Sequence, residues 1–267
     1  MLARVLLHGG FSDEHRADAY GHWLASNPFD VGGTLGQAIR TIVRAAPGTS
    51  KATVARAAAN PESQANGALM RQSPLAIWGY SLAPEALDSL VRDDTRLTHP
   101  HRVCQDASAA FIVALSAVIR GDYDAAAAHK LASAWHEHHG AEESVTRALA
   151  AARHERPDYE HHEGHVIIAL QNAFYQALHA PSFEDGVVDT VRGGGDTDTN
   201  GAIAGALLGA LYGAPSIPLQ WRQAVLTCRP LKGAAGVQQP TGSEFWPVDA
   251  LYLAERLLVA GGGATQG

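Results

Sequence analysis

The spacing of apolar residues predicts a chain made almost entirely of α-helices. Apolar positions recur three and four residues apart in segment after segment, alanine is abundant, and the alternation that is typical of β-strands is scarce. The cleanest stripe ends at Gly121 and consists of Val103, Ala107, Ala110, Phe111, Ala114, Leu115 and Val118. We therefore expect an all-α fold with a core helix in this region.

Capping and helix-breaking residues set the predicted ends of the other helices. Ser12 and Ser182 are each followed within three residues by acidic side chains, a pattern that is typical of a helix start. Further helices are predicted at residues 2–7, 35–43, 50–60, 84–91, 122–135, 166–178, 201–213, 221–226 and 248–259. Because no repeat or long linker divides the chain, we expect a single domain over residues 1–260 and a disordered tail over residues 261–267.

The composition limits the classes of partner. The 267 residues are 46% hydrophobic and 18% charged, which is typical of a folded chain with a large core. A net charge of −7 without a dense block of Lys or Arg argues against a nucleic-acid partner. Cys104 and Cys228 lie far apart, as expected in a reducing cytoplasm. With no secretory signal or transmembrane segment predicted, we expect a soluble, cytoplasmic protein without a membrane partner.

The strongest chemical signal is the stretch from Gly193 to Gly201. Three glycines precede Asp196, Thr197, Asp198 and Thr199 at the predicted start of a helix. Carboxylate and hydroxyl oxygens are hard ligands that suit Mg²⁺, Mn²⁺ or Ca²⁺. Helix capping alone needs one such side chain, and a dinucleotide-binding reading lacks the apolar strand that should lead into the glycines. The pattern favours a metal or anion site at the helix N-terminus, with glycines that let the backbone approach a ligand closely.

The helix after this stretch carries glycine at every fourth position. Gly201, Gly205, Gly209 and Gly213 share one face, and glycine in a helix interior costs about 1 kcal/mol relative to alanine. We therefore expect another backbone to pack very close to this face. A membrane helix pair shows the same spacing, but this apolar run is too short to span a bilayer.

Other candidate motifs are weaker. Asn66-Gly67 predicts a turn, and Asp93-Asp94-Thr95 lies at a polar helix end that we expect to face solvent. Histidines cluster at residues 136–139 and 161–165 without the HExxH zinc spacing. A helical metal-storage or sensor protein that uses these histidines stays open as an alternative.

The stretch at Asp196 resembles the C-terminal signature of the ADP-ribosylglycohydrolase family, in which Gly-Gly-Asp-x-Asp-Thr binds a pair of divalent ions. The Trp23 helix, Gly33-Thr34, the segment Asn66–Arg71, Thr98-His99 and Trp246–Leu251 resemble further parts of the family in the same order.

This resemblance has consequences for the site and the activity. It implies a compact orthogonal helical bundle in which Asp196, Asp198 and Thr199 bind Mg²⁺ or Mn²⁺. It also implies that Asn66, Gly67 and His99 lie near an ADP-ribose pocket. The implied activity is hydrolysis of the glycosidic bond of an ADP-ribosylated protein or small molecule. We expect the protein to be a monomer.

The chain also departs from the family pattern. Members begin with a Gly-Asp-x-x-Gly helix, a glutamate region and a Thr-Asp-Asp-Thr segment that completes the metal site, and none of these precedes Met1. We expect either a misplaced start or a degenerate copy, and a half-site that binds metal weakly because each ion needs about six ligands. The alternative function is a non-catalytic module that binds ADP-ribose or a protein.

Overall fold

One long apolar helix, Arg102–Ile119, is buried at the centre of the molecule. It is seen in a computed structural model that describes residues 1–263 apart from the side chain of His136. Its predicted stripe is buried, and so are most of the residues between, because other helices surround it. Of the described helices it alone is long and apolar enough to cross a membrane, but 83% of it is buried inside the protein.

The described residues fold into α-helices joined by loops and short 3₁₀ segments, and they contain no β-strand. In chain order the helices are α1 (Leu2–Gly9), α2 (Asp13–Ala25), α3 (Gly33–Arg44), α4 (Lys51–Ala58), α5 (Ser73–Trp78), α6 (Pro84–Arg96), α7 (Arg102–Ile119), α8 (Ala125–His138), α9 (Glu143–Ala151), α10 (Val166–His179), α11 (Phe183–Arg192), α12 (Thr197–Tyr212), α13 (Leu219–Leu226) and α14 (Ala250–Gly263). The predicted all-α fold is confirmed.

Two hydrophobic clusters organise this bundle. The larger is built around α7, against which α5, α6, α8, α10 and α12 pack. Each fully buried Leu, Ile or Phe in it contributes roughly 1.5–3 kcal/mol through removal from water. The smaller cluster joins α2, α3 and α4 around Tyr20 and Ile39. Leu35 and Trp23 of the smaller cluster also line the cavity described below.

The predicted serine caps are confirmed. Ser12 accepts a hydrogen bond from the His15 N–H, and Ser182 accepts one from the Asp185 N–H. The predicted start at Asp122 is wrong, because the side chain that caps α8 is that of Asp124. Helices α5 and α9 were not predicted, since six and nine residues are too few to show a clear helical period.

The predicted disordered tail begins too early. Helix α14 continues through Gly263, and Gly261 packs against the carbonyl group of Trp78 so closely that a side chain would overlap it. Glycine here permits close helix packing instead of fraying. Residues 264–267 lie outside the described part of the chain.

The expectation that Asp93-Asp94-Thr95 faces solvent is wrong. Asp94 and Thr95 are fully buried at the end of α6. One Asp94 oxygen accepts hydrogen bonds from Arg16 Nη1 at 3.1 Å and Tyr20 Oη at 2.8 Å. Burial alone would raise the pKa of Asp94, but the Arg71 and Arg16 guanidinium groups outweigh burial and hold that pKa below its ordinary value. The carboxylate therefore stays charged and joins α2 to α6.

Removal of this carboxylate tests how much the buried ion cluster stabilises the fold. We expect Asp94→Ala to lower the free energy of unfolding by about 3–5 kcal/mol, because Arg71 is left as a buried charge without its carboxylate partner. Arg16 also loses one of its ion pairs. Urea denaturation measures the change. The matched control is Glu143→Ala, which removes an exposed carboxylate paired with Arg147 and should change stability by less than about 0.5 kcal/mol. A loss below about 1 kcal/mol for Asp94→Ala would contradict the expectation.

Candidate functional site

A cavity of about 530 Å³ gathers every residue that the sequence proposed for the site. The proposed metal ligands come from the start of α12, and the proposed substrate contacts come from the turn before α5 and the loop before α7. These residues are Asn66, Gly67, His99, Asp196, Asp198 and Thr199. Folding thus brings together segments that lie more than a hundred residues apart in the chain.

Asp196 and Asp198 lie at the start of α12, as predicted. Asp196 occupies the N-cap position, but its side chain makes no capping hydrogen bond to the helix backbone. Instead, Asp196 Oδ2 accepts a hydrogen bond from Asn66 Nδ2 at 2.8 Å. Partial burial raises the pKa of Asp196, whereas the bond from Asn66 and neighbouring hydrogen bonds lower it, and the net pKa lies below its ordinary value. Asp198 is exposed at the cavity.

The glycines before Asp196 allow a tight turn against Tyr159, and Gly195 also lines the cavity. Gly194 and Gly195 have φ angles of 81° and 64°, which residues with side chains rarely adopt. A Cβ atom at Gly195 would overlap the carbonyl oxygen of Tyr159, and one at Gly193 would lie 2.6 Å from the Tyr159 ring. The tight turn therefore wraps around Tyr159, which is buried and donates a hydrogen bond to Asn172 Oδ1 at 2.7 Å.

The predicted close backbone contact along the α12 glycines is wrong. Gly201, Gly205 and Gly209 face α11, but the nearest atoms to their Cβ positions are side-chain carbons at 3.8–3.9 Å. Those distances are ordinary van der Waals contacts, and they belong to Val187 in the case of Gly205. The helices α11 and α12 thus pack through the side chains of α11 and not backbone to backbone.

Asn66 and Gly67 form a buried turn that is tied to the opposite wall of the cavity. The Asn66 N–H donates to the Gly164 carbonyl at 2.9 Å, and Ala65 forms an isolated antiparallel bridge with His165. A Cβ atom at Gly67 would lie 3.1 Å from the His99 ring, so glycine lets that ring lie against the turn. The predicted turn is therefore also a wall of the cavity.

His99 is buried in a position that keeps it neutral. Its side chain is fully buried, and burial, with a smaller contribution from Arg71, lowers its pKa to about 3. Its Nδ1 lies 2.8 Å from Thr98 Oγ1, whereas its Nε2 has no hydrogen-bond partner. A buried polar atom without a partner is uncommon, and here it belongs to a residue that lines the cavity.

Sequence reasoning did not propose several residues that line the cavity. They are Trp23, Asp30, Thr34, Met70 and Glu163. Asp30 and Glu163 are exposed carboxylates in loops that carry no recognisable motif, so no pattern in the sequence connected them with Asp196. Together with Asp196 and Asp198 they give the cavity four acidic side chains.

The donor atoms fit part of a site for a hard divalent cation. Asp196, Asp198 and Thr199 supply carboxylate and hydroxyl oxygens, which Mg²⁺ and Mn²⁺ prefer. One Asp196 oxygen is already bonded to Asn66. Among residues 1–263, no three His, Cys, Asp or Glu side chains are arranged to hold a metal ion. The residues present can therefore hold one cation partially, with the remaining positions left to water or substrate oxygens.

The histidine clusters do not form an alternative metal site in the described structure. His138 and His139 direct Nδ1 to carbonyl oxygens of their own helix, at 3.1 and 2.8 Å. His161 bonds to Asp158, and His165 caps α10. These local partners explain the side chains that the structure describes, so the sensor alternative gains no support.

Comparisons with known proteins agree on one family. A profile of the ADP-ribosylglycohydrolase family matches residues 1–258. The chain is 29% identical over 201 residues to the ADP-ribosyl-(dinitrogen reductase) glycohydrolase of Rhodospirillum rubrum. The aligned segment covers 74% of this chain and 61% of that enzyme. It is 22% identical over 200 residues to the ADP-ribosylarginine hydrolase Tri1 of Pseudomonas putida. This alignment covers 74% of this chain and 52% of that enzyme. The chain thus spans less than two thirds of the length of either relative.

A solved structure gives the same result for the fold. It is described as an ADP-ribosylglycohydrolase-related protein complex, and it superimposes with a TM-score of 0.73 at 26% identity. The superposition covers 97% of this chain and 78% of the other chain.

Alanine substitution separates the two kinds of glycine. We expect Gly195→Ala to destabilise the protein by at least about 1–3 kcal/mol, because a Cβ there combines a strained φ angle with overlap on Tyr159. Gly205→Ala should instead be neutral or stabilise by up to about 1 kcal/mol, since alanine favours the helix and its Cβ fits. Urea denaturation compares the two variants. Equal effects would contradict this assignment.

The lowered pKa of His99 predicts that the stability of the protein depends on pH. The folded-state pKa of about 3 lies below the ordinary value of 6.5, so the unfolded chain binds this proton first as the pH falls. The contribution of His99 is complete above pH 6.5 and decreases by up to about 1.4 kcal/mol per pH unit on acidification. Urea unfolding of the wild type and His99→Gln between about pH 5 and 7 measures it. The variant should lose stability less steeply, and parallel curves would contradict the expectation.

Proposed function

Because this chain belongs to the ADP-ribosylglycohydrolase family, we propose that it binds an ADP-ribosylated substrate in the 530 Å³ cavity and hydrolyses its glycosidic bond. The observation that carries the proposal is the meeting of Asn66, Gly67 and His99 with the acidic start of α12 in one cavity. The volume lies in the range of roughly 300–1,000 Å³ that is typical of small-molecule sites.

The residues at the start of α12 would hold the divalent cation. Asp196, Asp198 and Thr199 offer oxygen ligands for Mg²⁺ or Mn²⁺, and Asn66 fixes the orientation of Asp196. When bound, such a cation can orient ribose hydroxyl groups and acidify a water molecule. These three side chains supply only part of the ligands of one ion, so we propose that water or substrate oxygens complete its coordination.

The chain's own side chains suit the charge that develops during glycoside cleavage. Cleavage at the anomeric carbon builds positive charge on the sugar. Four carboxylates around the cavity, including the exposed Asp30 and Glu163, would stabilise that positive charge electrostatically. The tight turn at Asn66 and Gly67 and the buried His99 give the substrate rigid walls, so little ordering is needed when it binds.

The names of the relatives suggest the substrate class. One is named for ADP-ribosylated dinitrogen reductase and the other for ADP-ribosylarginine. We propose an ADP-ribosylated protein as substrate, with an ADP-ribosylated small molecule as the second possibility. A monomer in the cytoplasm, with no nucleic-acid or membrane partner, is part of the same proposal.

A second candidate function follows from the incomplete donor set. Because only two acidic side chains meet at the start of α12, the chain could bind ADP-ribose, or a protein, without turnover. Such a non-catalytic module would retain the cavity walls and lose the metal chemistry.

Release of ADP-ribose tests the first function. The purified protein is incubated with ADP-ribosylarginine and with an ADP-ribosylated protein in Mg²⁺ or Mn²⁺, and free ADP-ribose is measured by chromatography. We expect release that stops on chelation and falls more than about 100-fold in Asp198→Ala, which removes a proposed ligand. Asp122→Ala, at an exposed carboxylate outside the cavity, is the matched control and should leave release unchanged.

The outcomes separate the two functions. ADP-ribose binding by calorimetry without release from any substrate supports the non-catalytic module. If the folded protein neither releases nor binds ADP-ribose, both the hydrolase and the ADP-ribose-binding module are refuted.

A further inference from the structure

One guanidinium group connects the two walls of the cavity that lack acidic residues. Arg71 Nη1 donates to the Gly67 carbonyl oxygen at 3.3 Å and to Thr98 Oγ1 at 2.9 Å. The same side chain is held from behind by Asp94, whose carbonyl oxygen and carboxylate accept from Arg71 at 3.0 and 3.3 Å. Arg71 therefore fixes the Asn66-Gly67 turn and the Thr98-His99 segment relative to each other.

The bond from Arg71 limits the role of the Thr98 hydroxyl. A guanidinium nitrogen can only donate, so Thr98 Oγ1 accepts from Arg71. The remaining contact of that hydroxyl is His99 Nδ1 at 2.8 Å, and both side chains are fully buried. If Thr98 donates its proton to Nδ1, then Nδ1 is the unprotonated nitrogen and the ring proton lies on Nε2. This arrangement leaves one group, the Nε2–H, without a partner.

The opposite tautomer is less favourable by this count. If His99 carried its proton on Nδ1, the Thr98 oxygen would accept from both Arg71 and His99. The Thr98 proton would then have no acceptor in a fully buried site, and the Nε2 lone pair would also be unpaired. Each buried group without a partner costs about 1–3 kcal/mol, so the first arrangement is favoured.

We propose that Arg71 and Thr98 are positioning residues that hold His99 in its Nε2–H tautomer, so that His99 meets the ligand only as a hydrogen-bond donor. The proposal rests on the proposed function for the ligand, but the tautomer itself is a property of the free protein. Nε2 is buried against the Gly67 turn in the free protein, so the Nε2–H can pair with a ribose hydroxyl or phosphate oxygen of ADP-ribose only when that turn shifts on binding. The low pKa of His99 agrees with a neutral ring that keeps this role across physiological pH.

The geometry also gives Gly67 a function. A Cβ atom at Gly67 would lie only 3.1 Å from His99 Nε2. Glycine therefore lets the turn pack directly against the imidazole ring. A single nitrogen of Arg71, Nη1, donates hydrogen bonds both to the carbonyl oxygen of this glycine and to the Thr98 hydroxyl that orients the ring. A shift of the turn would therefore also disturb the orientation of His99.

The test combines a tautomer measurement with ligand binding. Nitrogen NMR of the ligand-free protein shows which ring nitrogen of His99 carries the proton, and His99→Gln identifies the signal. ADP-ribose affinity is measured by calorimetry. Thr98→Val keeps the shape but removes the hydroxyl, Thr98→Ser restores it, and Thr190→Val makes the same change at a buried threonine that does not line the cavity.

We expect the wild type and Thr98→Ser to carry the proton on Nε2. Thr98→Val should show mixed tautomers and bind ADP-ribose about tenfold more weakly, the effect of one lost hydrogen bond. Arg71→Lys keeps the charge beside Asp94 but loses the double contact, and it should shift the tautomer in the same direction. Thr190→Val should bind ADP-ribose like the wild type.

Two results would overturn the proposal. One is a wild-type His99 with its proton on Nδ1. The other is an unchanged tautomer in both folded Thr98→Val and Arg71→Lys. If the wild type binds no ADP-ribose, the proposed function fails while the NMR result still decides the role of Arg71 and Thr98.

Discussion

The ionic cluster around Asp94 connects the stability of this protein with the shape of its cavity. One oxygen of its carboxylate accepts hydrogen bonds from Arg16 and Tyr20 of α2. The other oxygen receives Arg71 and Gln72, which precede the central helices. A buried carboxylate with this many donors stays charged, and it fixes each donor in return. Because Arg71 then holds Gly67 and Thr98, the position of the cavity wall depends on a charge that never contacts solvent.

The cavity divides into two chemical halves. One half is acidic: the start of α12 offers oxygen ligands, and Asp30 and Glu163 add further exposed carboxylates. The other half is rigid and donates hydrogen bonds, through the buried turn at Asn66 and the neutral His99. Asn66 joins the halves, since its amide holds Asp196. A sugar phosphate presents hydroxyl groups, oxygens and a reacting carbon, so such a division suits it better than a uniformly charged surface would.

Much of the helical architecture could be predicted from local pattern. The stripe of α7 and the serine caps of α2 and α11 depend on neighbours three and four residues away, which the chain order specifies directly. The short helices α5 and α9 were missed because their stability comes from packing and not from a visible period. Tight glycine packing was predicted along α12 and was found instead at the Tyr159 loop, because a glycine does not indicate which part of the chain approaches it.

For the site, the sequence by itself determined the chemistry of the ligands: hard oxygens at a helix start, an Asn-Gly turn and a histidine, together with their likeness to one family. Tertiary structure alone decided that these segments share one cavity, that Asp94 is buried and not solvated, and that Arg71 acts on His99 through Thr98. The reason is physical. Residue type sets which bonds a side chain can make, whereas burial and the partners that remain within reach set which of those bonds it does make.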